Sequence, residues 1–258
     1  MITTLPLKKS EGHFIVNIDG KNYIIDTGAA ESCSCFGETE IAIGDKMFKI
    51  YPLPLGKVGE KISELVHMPI EGLIGLDIMK KLGSIEISEE EGYVRFGGNP
   101  IPKAGDYTCT FKESEGYSTQ TISIEGIDRE ITVFLDNGVR VLTAKLNVNG
   151  RDIIVILDTG ARIDYMDPAL LDTSKVISHE QDYNPIIGYF EVDGYKATYR
   201  IGDREIETVS YAATDQLKDY VSQLGINYIS GVVGLNAFLK GMKSITFDFI
   251  NRMVILKA

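Results

Sequence analysis

The feature that most constrains this chain is an internal duplication. Asn17-Ile18-Asp19-Gly20 leads into Ile24-Ile25-Asp26-Thr27-Gly28-Ala29, and Asn147-Val148-Asn149-Gly150 leads into Ile156-Leu157-Asp158-Thr159-Gly160-Ala161. Further on, Ile43-Gly44-Asp45-Lys46 is echoed by Ile201-Gly202-Asp203-Arg204. Gly72-Leu73-Ile74-Gly75-Leu76-Asp77 is echoed by Gly231-Val232-Val233-Gly234-Leu235-Asn236, and Ser84-Ile85 by Ser244-Ile245. Landmarks that match in type and order mark a repeated unit. Two such units related by a pseudo-twofold axis bring equivalent loops face to face, which places Asp26 and Asp158 in one site.

Two aspartates in one site have a specific chemistry. They cannot both ionise cheaply, so one holds a proton while the other acts as base, and the pair titrates as a unit. The neighbours suit that role. Thr27 and Thr159 offer hydroxyls to the opposite loop, and Gly28 and Gly160 let amide N–H groups approach a carboxylate without a side-chain clash. The apolar runs Tyr23 to Ile25 and Ile153 to Leu157 predict strands that hold both loops rigidly. In Gly72-Leu73-Ile74-Gly75 and Gly231-Val232-Val233-Gly234, two large apolar residues between glycines predict a buried strand passing close to another backbone.

With these motifs in place the chain resembles the pepsin and retropepsin superfamily of aspartic peptidases, over both repeats. The resemblance implies a mostly β, bilobal acid-protease-like fold, with two pseudo-twofold-related β-barrel-like lobes and a cleft between them. It implies Asp26 and Asp158 as the catalytic dyad, with Thr27, Gly28, Ala29, Thr159, Gly160 and Ala161 supporting the two loops. It also implies an endopeptidase acting on extended peptide or protein substrates through an activated water, with no cofactor and no metal. Two other readings remain open: an inactive relative that binds extended peptides in the same cleft, and a structural β-protein whose loops are turns. Ala29 and Ala161 match the retropepsin pattern, where pepsins usually carry Ser or Thr. Losing a hydroxyl donor to the charged carboxylate is expected to move the activity optimum above that of gastric enzymes.

The repeats differ at one place. Asp26 and Gly44 are 18 positions apart, Asp158 and Gly202 are 44, an excess of 26 in the second repeat. Its centre, Ile186 to Tyr199, reads as two strands around Asp193-Gly194, a strong hairpin signal. In the family a hairpin here is the flap over the substrate, so a single flap is expected from the second half, carried by Gly188, Tyr189, Asp193, Gly194 and Tyr195. Tyr189 and Tyr195 are the aromatic candidates for leaning over the cleft. Glu31, Arg162 and Asp164 follow the two loops directly and are candidate cleft contacts or partners in local ion pairs.

Residues 1–12 read as a tail, 13–98 as the first lobe, 99–139 as a connector and 140–258 as the second lobe, enough to bury two small cores. Short helices are expected at 77–82, 167–171, 215–224 and 236–240. In the connector, Tyr107 to Phe111, Thr121 to Ile124 and Ile131 to Leu135 alternate well enough to join a shared interlobe sheet, and Asn137-Gly138 predicts a type I′ turn. A net charge of −11 with no basic stripe argues against nucleic acid and anionic membranes. Three cysteines, Cys33, Cys35 and Cys109, and no apolar leader point to a reducing cytoplasm, and both repeats on one polypeptide lead to the expectation of a monomer.

Overall fold

The computed structural model describes residues 2–52, 58–123, 130–184, 187–226 and 229–258, with side chains for all of these except 58, 118–123 and 130–137. Ile124 and Ile186, named above within strand runs, lie outside the described residues.

Each repeat opens with the same device. Strands β1 (Thr3–Ser10), β2 (His13–Ile18) and β3 (Lys21–Ile25) run antiparallel. The β2–β3 turn has Asp19 at φ 51° and Gly20 at φ 83°, the pair of positive angles that a type I′ hairpin requires. Its flanks are clamped by the Asn17 Nδ2 donating to Asn22 Oδ1 at 2.9 Å. The sequence expected residues 1–12 to be a tail, but Thr3 to Pro6 pair with the strand at Tyr93–Phe96 and Leu7 to Ser10 pair with β2, so they belong to the sheet framework.

The chain continues through β4 (Cys33–Ser34), β5 (Thr39–Ile43), β6 (Lys46–Pro52), α1 (Val58–Leu65), β7 (Gly72–Ile74), α2 (Leu76–Leu82), β8 (Ser84–Ser88) and β9 (Tyr93–Phe96). Strand β7 runs parallel to β3, placing Ile74 beside Ile25 and Gly72 beside Tyr23. A Cβ on Gly72 would run into the Cys33 carbonyl of β4, which explains a glycine in that strand. Helix α1 is absent from the sequence expectations. Its Ile62 joins Val66 and Ile70 against Ile15 and Ile24, so one apolar stripe is enough to seat it.

The second repeat follows as β10 (Tyr107–Ser123), β11 (Glu130–Val148), β12 (Arg151–Leu157), β13 (Asp164–Met166), a 3-10 turn at Pro168–Leu170, β14 (Ser178–Asn184), β15 (Gly188–Ile201), β16 (Arg204–Ala212), α3 (Asp215–Gln223), β17 (Ile229–Val233), α4 (Leu235–Leu239), β18 (Ser244–Asp248) and β19 (Met253–Lys257). Asn149 (φ 50°) and Gly150 (φ 81°) repeat the type I′ turn, and Asn147 Nδ2 donates to Asp152 Oδ1 at 2.8 Å. Strand β17 runs parallel to β12, as β7 does to β3.

The halves share an antiparallel sheet in the order β1, β9, β8, β18, β19, β10. Every residue of β8 and β18 is buried, so this sheet is covered on both faces. The apolar cluster running through it includes Ile85, Phe96, Phe247 and Leu256 and reaches into both repeats, forming one continuous core in place of two separate ones.

Two connector expectations are corrected. Only Tyr107 to Thr110 pair with β19 in the shared sheet; Thr121 instead faces Thr132 and Ile122 faces Ile131 in a long β10–β11 hairpin. Asn137-Gly138 is no turn. It lies within β11, where the register slips between Glu115 and Tyr117 and Gly138 takes φ 77°, a bulge that absorbs the extra residues.

Candidate active site

Strands β3 and β12 deliver the two Asp-Thr-Gly loops to a common point. Each aspartate is fixed from behind by the neighbouring parallel strand: Asp26 N–H donates to Ile74 O at 3.0 Å and Asp158 N–H to Val233 O at 2.9 Å. The glycines that end those strands are sterically required. A Cβ on Gly75 would lie 2.8 Å from Ala29 O, and one on Gly234 would meet Ala161 O.

The threonines lock the loops together. Thr27 N–H donates to Thr159 Oγ1 and Thr159 N–H to Thr27 Oγ1, both at 2.9 Å. Each hydroxyl then donates onward across the axis, Thr27 Oγ1 to Leu157 O at 2.8 Å and Thr159 Oγ1 to Ile25 O at 2.7 Å. Both side chains are buried, and the N–H and hydroxyl of each threonine are satisfied in an environment where an unpaired group is costly.

This grip sets the carboxylates beside each other. The side chains of Asp26 and Asp158 hydrogen-bond one another. A Cβ built on Gly28 would lie 2.6 Å from the Asp158 carboxyl carbon, and one on Gly160 2.6 Å from that of Asp26. Only glycine leaves room for the opposite aspartate. Gly28 N–H donates to Asp26 Oδ1 at 2.8 Å, Ala29 N–H to the same oxygen at 3.1 Å, and Gly160 N–H to Asp158 Oδ1 at 2.9 Å.

The two acids are not equivalent. Burial, the Asp158 charge and the hydrogen bond that the Asp26 carboxyl donates to Asp158 push Asp26 well above the usual carboxylate range. Burial also raises Asp158, opposed by the Gly160 amide, the bond from Asp26, the Ala161 amide and His13. One proton shared by two carboxyls is the state such a pair holds at moderate pH.

The remaining sequence candidates scatter. Glu31 is exposed beside the first loop. Arg162 is committed locally, to Glu180 at 3.2 Å, Asp182 at 3.4 Å and the Gln181 carbonyl at 2.8 Å, all on β14. Asp164 is no cleft contact. It is buried behind the loop, accepting from Gly234 N–H at 2.8 Å and Tyr199 OH at 3.0 Å, and burial pushes it up to about 7. Ser32 fills the matching place in the first half, binding Gly75 N–H and Asp77.

A hairpin does occupy the 26-residue excess, but its turn falls between β14 and β15, next to Gly188 at φ 87°. Asp193 and Gly194 sit inside β15 opposite His179 and Ser178. Gly194 is there because a Cβ would meet Ser178 Oγ, Val209 and Tyr211, and Asp193 pairs with His179 at 2.7 Å. Tyr195 is 5 % exposed and belongs to the main core, so it leans over nothing. Tyr189 stays 49 % exposed near the turn, meets the Tyr183 ring in a tilted pair at 5.2 Å, and has the Lys61 ammonium of α1 4.9 Å from its ring. Thus the second-half hairpin meets a first-half helix at its tip. In the first half, the β5–β6 turn at Gly44-Asp45 corresponds to the β15–β16 turn at Gly202-Asp203; Lys46 beside it donates to the Lys81 carbonyl of α2.

No family model and no curated protein matches the chain. Among solved structures, the solution structure of simian foamy virus (mac) protease is similar at 18 % identity, over 37 % of this chain and 89 % of that one, with a TM-score of 0.27.

Two residues near the dyad, and a third at the hairpin tip, escaped sequence reasoning. His13, at the start of β2, lies in the field of Asp158, Asp182 and Arg162. Tyr220 of α3 feels both dyad aspartates and packs with Tyr165, Phe190 and Leu217 under the hairpin. Lys61 comes from the unforeseen helix α1. None sits in a repeated motif; each arrives by tertiary packing. Among the described residues no group of three or more metal-ligand side chains gathers, and no helix is long and apolar enough to cross a membrane.

Proposed function

We propose that this chain is a single-chain aspartic endopeptidase with two lobes and one flap, the β14–β15 hairpin. The observation that carries the proposal is the reciprocal Thr27–Thr159 lock, which holds two hydrogen-bonded carboxyls together. Water held between the carboxyls loses a proton to the ionised aspartate as its oxygen attacks the peptide carbonyl. The protonated aspartate gives its proton to the carbonyl oxygen. Collapse of the resulting diol returns a proton to the departing amine and restores the dyad.

Buried, preorganised groups and a covering hairpin favour this chemistry because they exclude bulk water from the developing charges. Both catalytic loops come from one polypeptide, so activity per chain is expected to be independent of dilution, unlike that of an obligate dimer. The test is mass spectrometry of peptides released from a denatured proteome by the wild type and by Asp26→Asn. New termini seen only with the wild type support the proposal. Peptide binding without any new terminus favours the inactive, peptide-holding relative.

A further inference from the structure

The pseudo-symmetry of the site breaks at His13. His13 opens β2 immediately after the β1–β2 turn, and that turn docks on the exit of the opposite catalytic loop. Asn236 Nδ2 bridges the Gly12 carbonyl at 3.1 Å and the Arg162 carbonyl at 2.9 Å. A Cβ on Gly12 would lie 2.5 Å from Arg162 Cγ, so the two segments touch directly. This docking carries the His13 ring to the Gly160 backbone, whose carbonyl is its hydrogen-bonding neighbour. Gly160 in turn donates its N–H to Asp158 Oδ1. Aligning Asn17 with Asn147 puts Thr143 at the place of His13 in the second half. Its hydroxyl is taken by Ser114 Oγ at 2.7 Å. Among the described residues no imidazole stands by Asp26 in the same way.

We propose that His13 is a positioning residue for the dyad, singling out Asp158 as the carboxyl that carries the negative charge and leaving Asp26 to hold the proton. The proposal rests on the aspartic-peptidase reading and adds to it a division of labour. Asp158 becomes the base toward water and Asp26 the acid toward the carbonyl oxygen. His13 Nδ1 is buried without a hydrogen bond among the described residues, so its charge, when formed, is answered through space. The charged groups facing the ring are Asp158 on the catalytic loop, Arg162 just after it and Asp182 on β14. Burial lowers the ring's own titration, against the pull of Asp182 and Asp158. His13 is therefore neutral at neutral pH and gains its charge on acidification, where that charge keeps Asp158 ionised to lower pH.

NMR titration of the His13 imidazole in the wild type, Asp158→Asn and Asp26→Asn tests this without any need for turnover. Asp158→Asn is expected to lower the His13 midpoint by about one pH unit, and Asp26→Asn to move it by less than a third as much. Equal movement in both variants, or none in Asp158→Asn, overturns the proposal. A second arm uses His13→Asn, which removes the charge and keeps an amide donor for Gly160. The acid limb of kcat/KM on a cleaved peptide should rise by about one unit, whereas a merely structural role would lower melting temperature and rate without moving the limb. An unmoved limb overturns the proposal. If the wild type cleaves nothing, the peptidase reading falls, yet the imidazole titration still decides whether the carboxyls are inequivalent.

Discussion

Replacing Thr27 by valine isolates the threonine lock, because valine copies the shape of threonine and lacks only the hydroxyl. Two hydrogen bonds disappear: the one given to Leu157 O at 2.8 Å and the one accepted from Thr159 N–H at 2.9 Å. Both partners are left in a site where Thr27 is 0 % and Thr159 1 % exposed. An unsatisfied buried polar group costs about 1–3 kcal/mol. Two of them place the loss at about 2–6 kcal/mol, and partial relaxation of the loop favours about 3 kcal/mol. For a chain of this size each kcal/mol moves the melting temperature by about 2–4 °C, so a fall of about 6–12 °C is expected by differential scanning calorimetry. Thr27→Ser keeps the hydroxyl and should recover most of it. Activity should fall in Thr27→Val even below its melting point, since a loosened loop misplaces Asp26 relative to Asp158. A Thr27→Val protein that melts within about 1 °C of the wild type would refute the idea that these bonds brace the site.

The two hairpin tyrosines should separate cleanly. Tyr195→Ala, emptying a core position, is expected to cost about 3–5 kcal/mol in denaturant unfolding, whereas Tyr189→Ala should leave stability unchanged and lower kcat/KM; the reverse pattern would place the flap face elsewhere. Glu86, inside the shared sheet, is raised by burial but pulled below the ordinary range overall by Lys257, Ser244 and Arg95. A depressed carboxyl contributes stability that is present above its unfolded value of about 4.3 and is lost as pH falls through the folded one. Glu86→Gln should therefore flatten the acid side of the stability–pH curve measured by urea unfolding, and an unchanged slope would contradict the ion cluster's role.

How much of this was legible before folding follows from the kind of signal each residue carries. The approach strands and the glycine-bounded β7 and β17 depend on local residue types repeated in order, and the duplication made each copy evidence for the other; the type I′ turns at Asp19-Gly20 and Asn149-Gly150 lie in a landmark that the sequence showed only as repeated. Asp193-Gly194 and Asn137-Gly138 carry the same local turn signal but are strand positions. In the first, the glycine answers close packing against Ser178, Val209 and Tyr211; in the second, a bulge uses its positive φ. Local chemistry cannot distinguish these uses from a turn. Asp164 looked like a cleft residue by its distance from Asp158, yet strand alternation turns it inward to Tyr199 and Gly234. His13 had no local signature at all, because its place beside Gly160 is set by the docking of one half on the other.

The most direct test of the central claim compares kcat/KM for wild type, Asp26→Asn and Asp158→Asn on one cleaved peptide, with thermal unfolding run in parallel. The account predicts that each substitution lowers kcat/KM by at least about a thousandfold, because neither carboxyl can replace the other, while both proteins stay folded. A folded variant of either kind that kept its rate within about tenfold of the wild type would contradict a shared dyad.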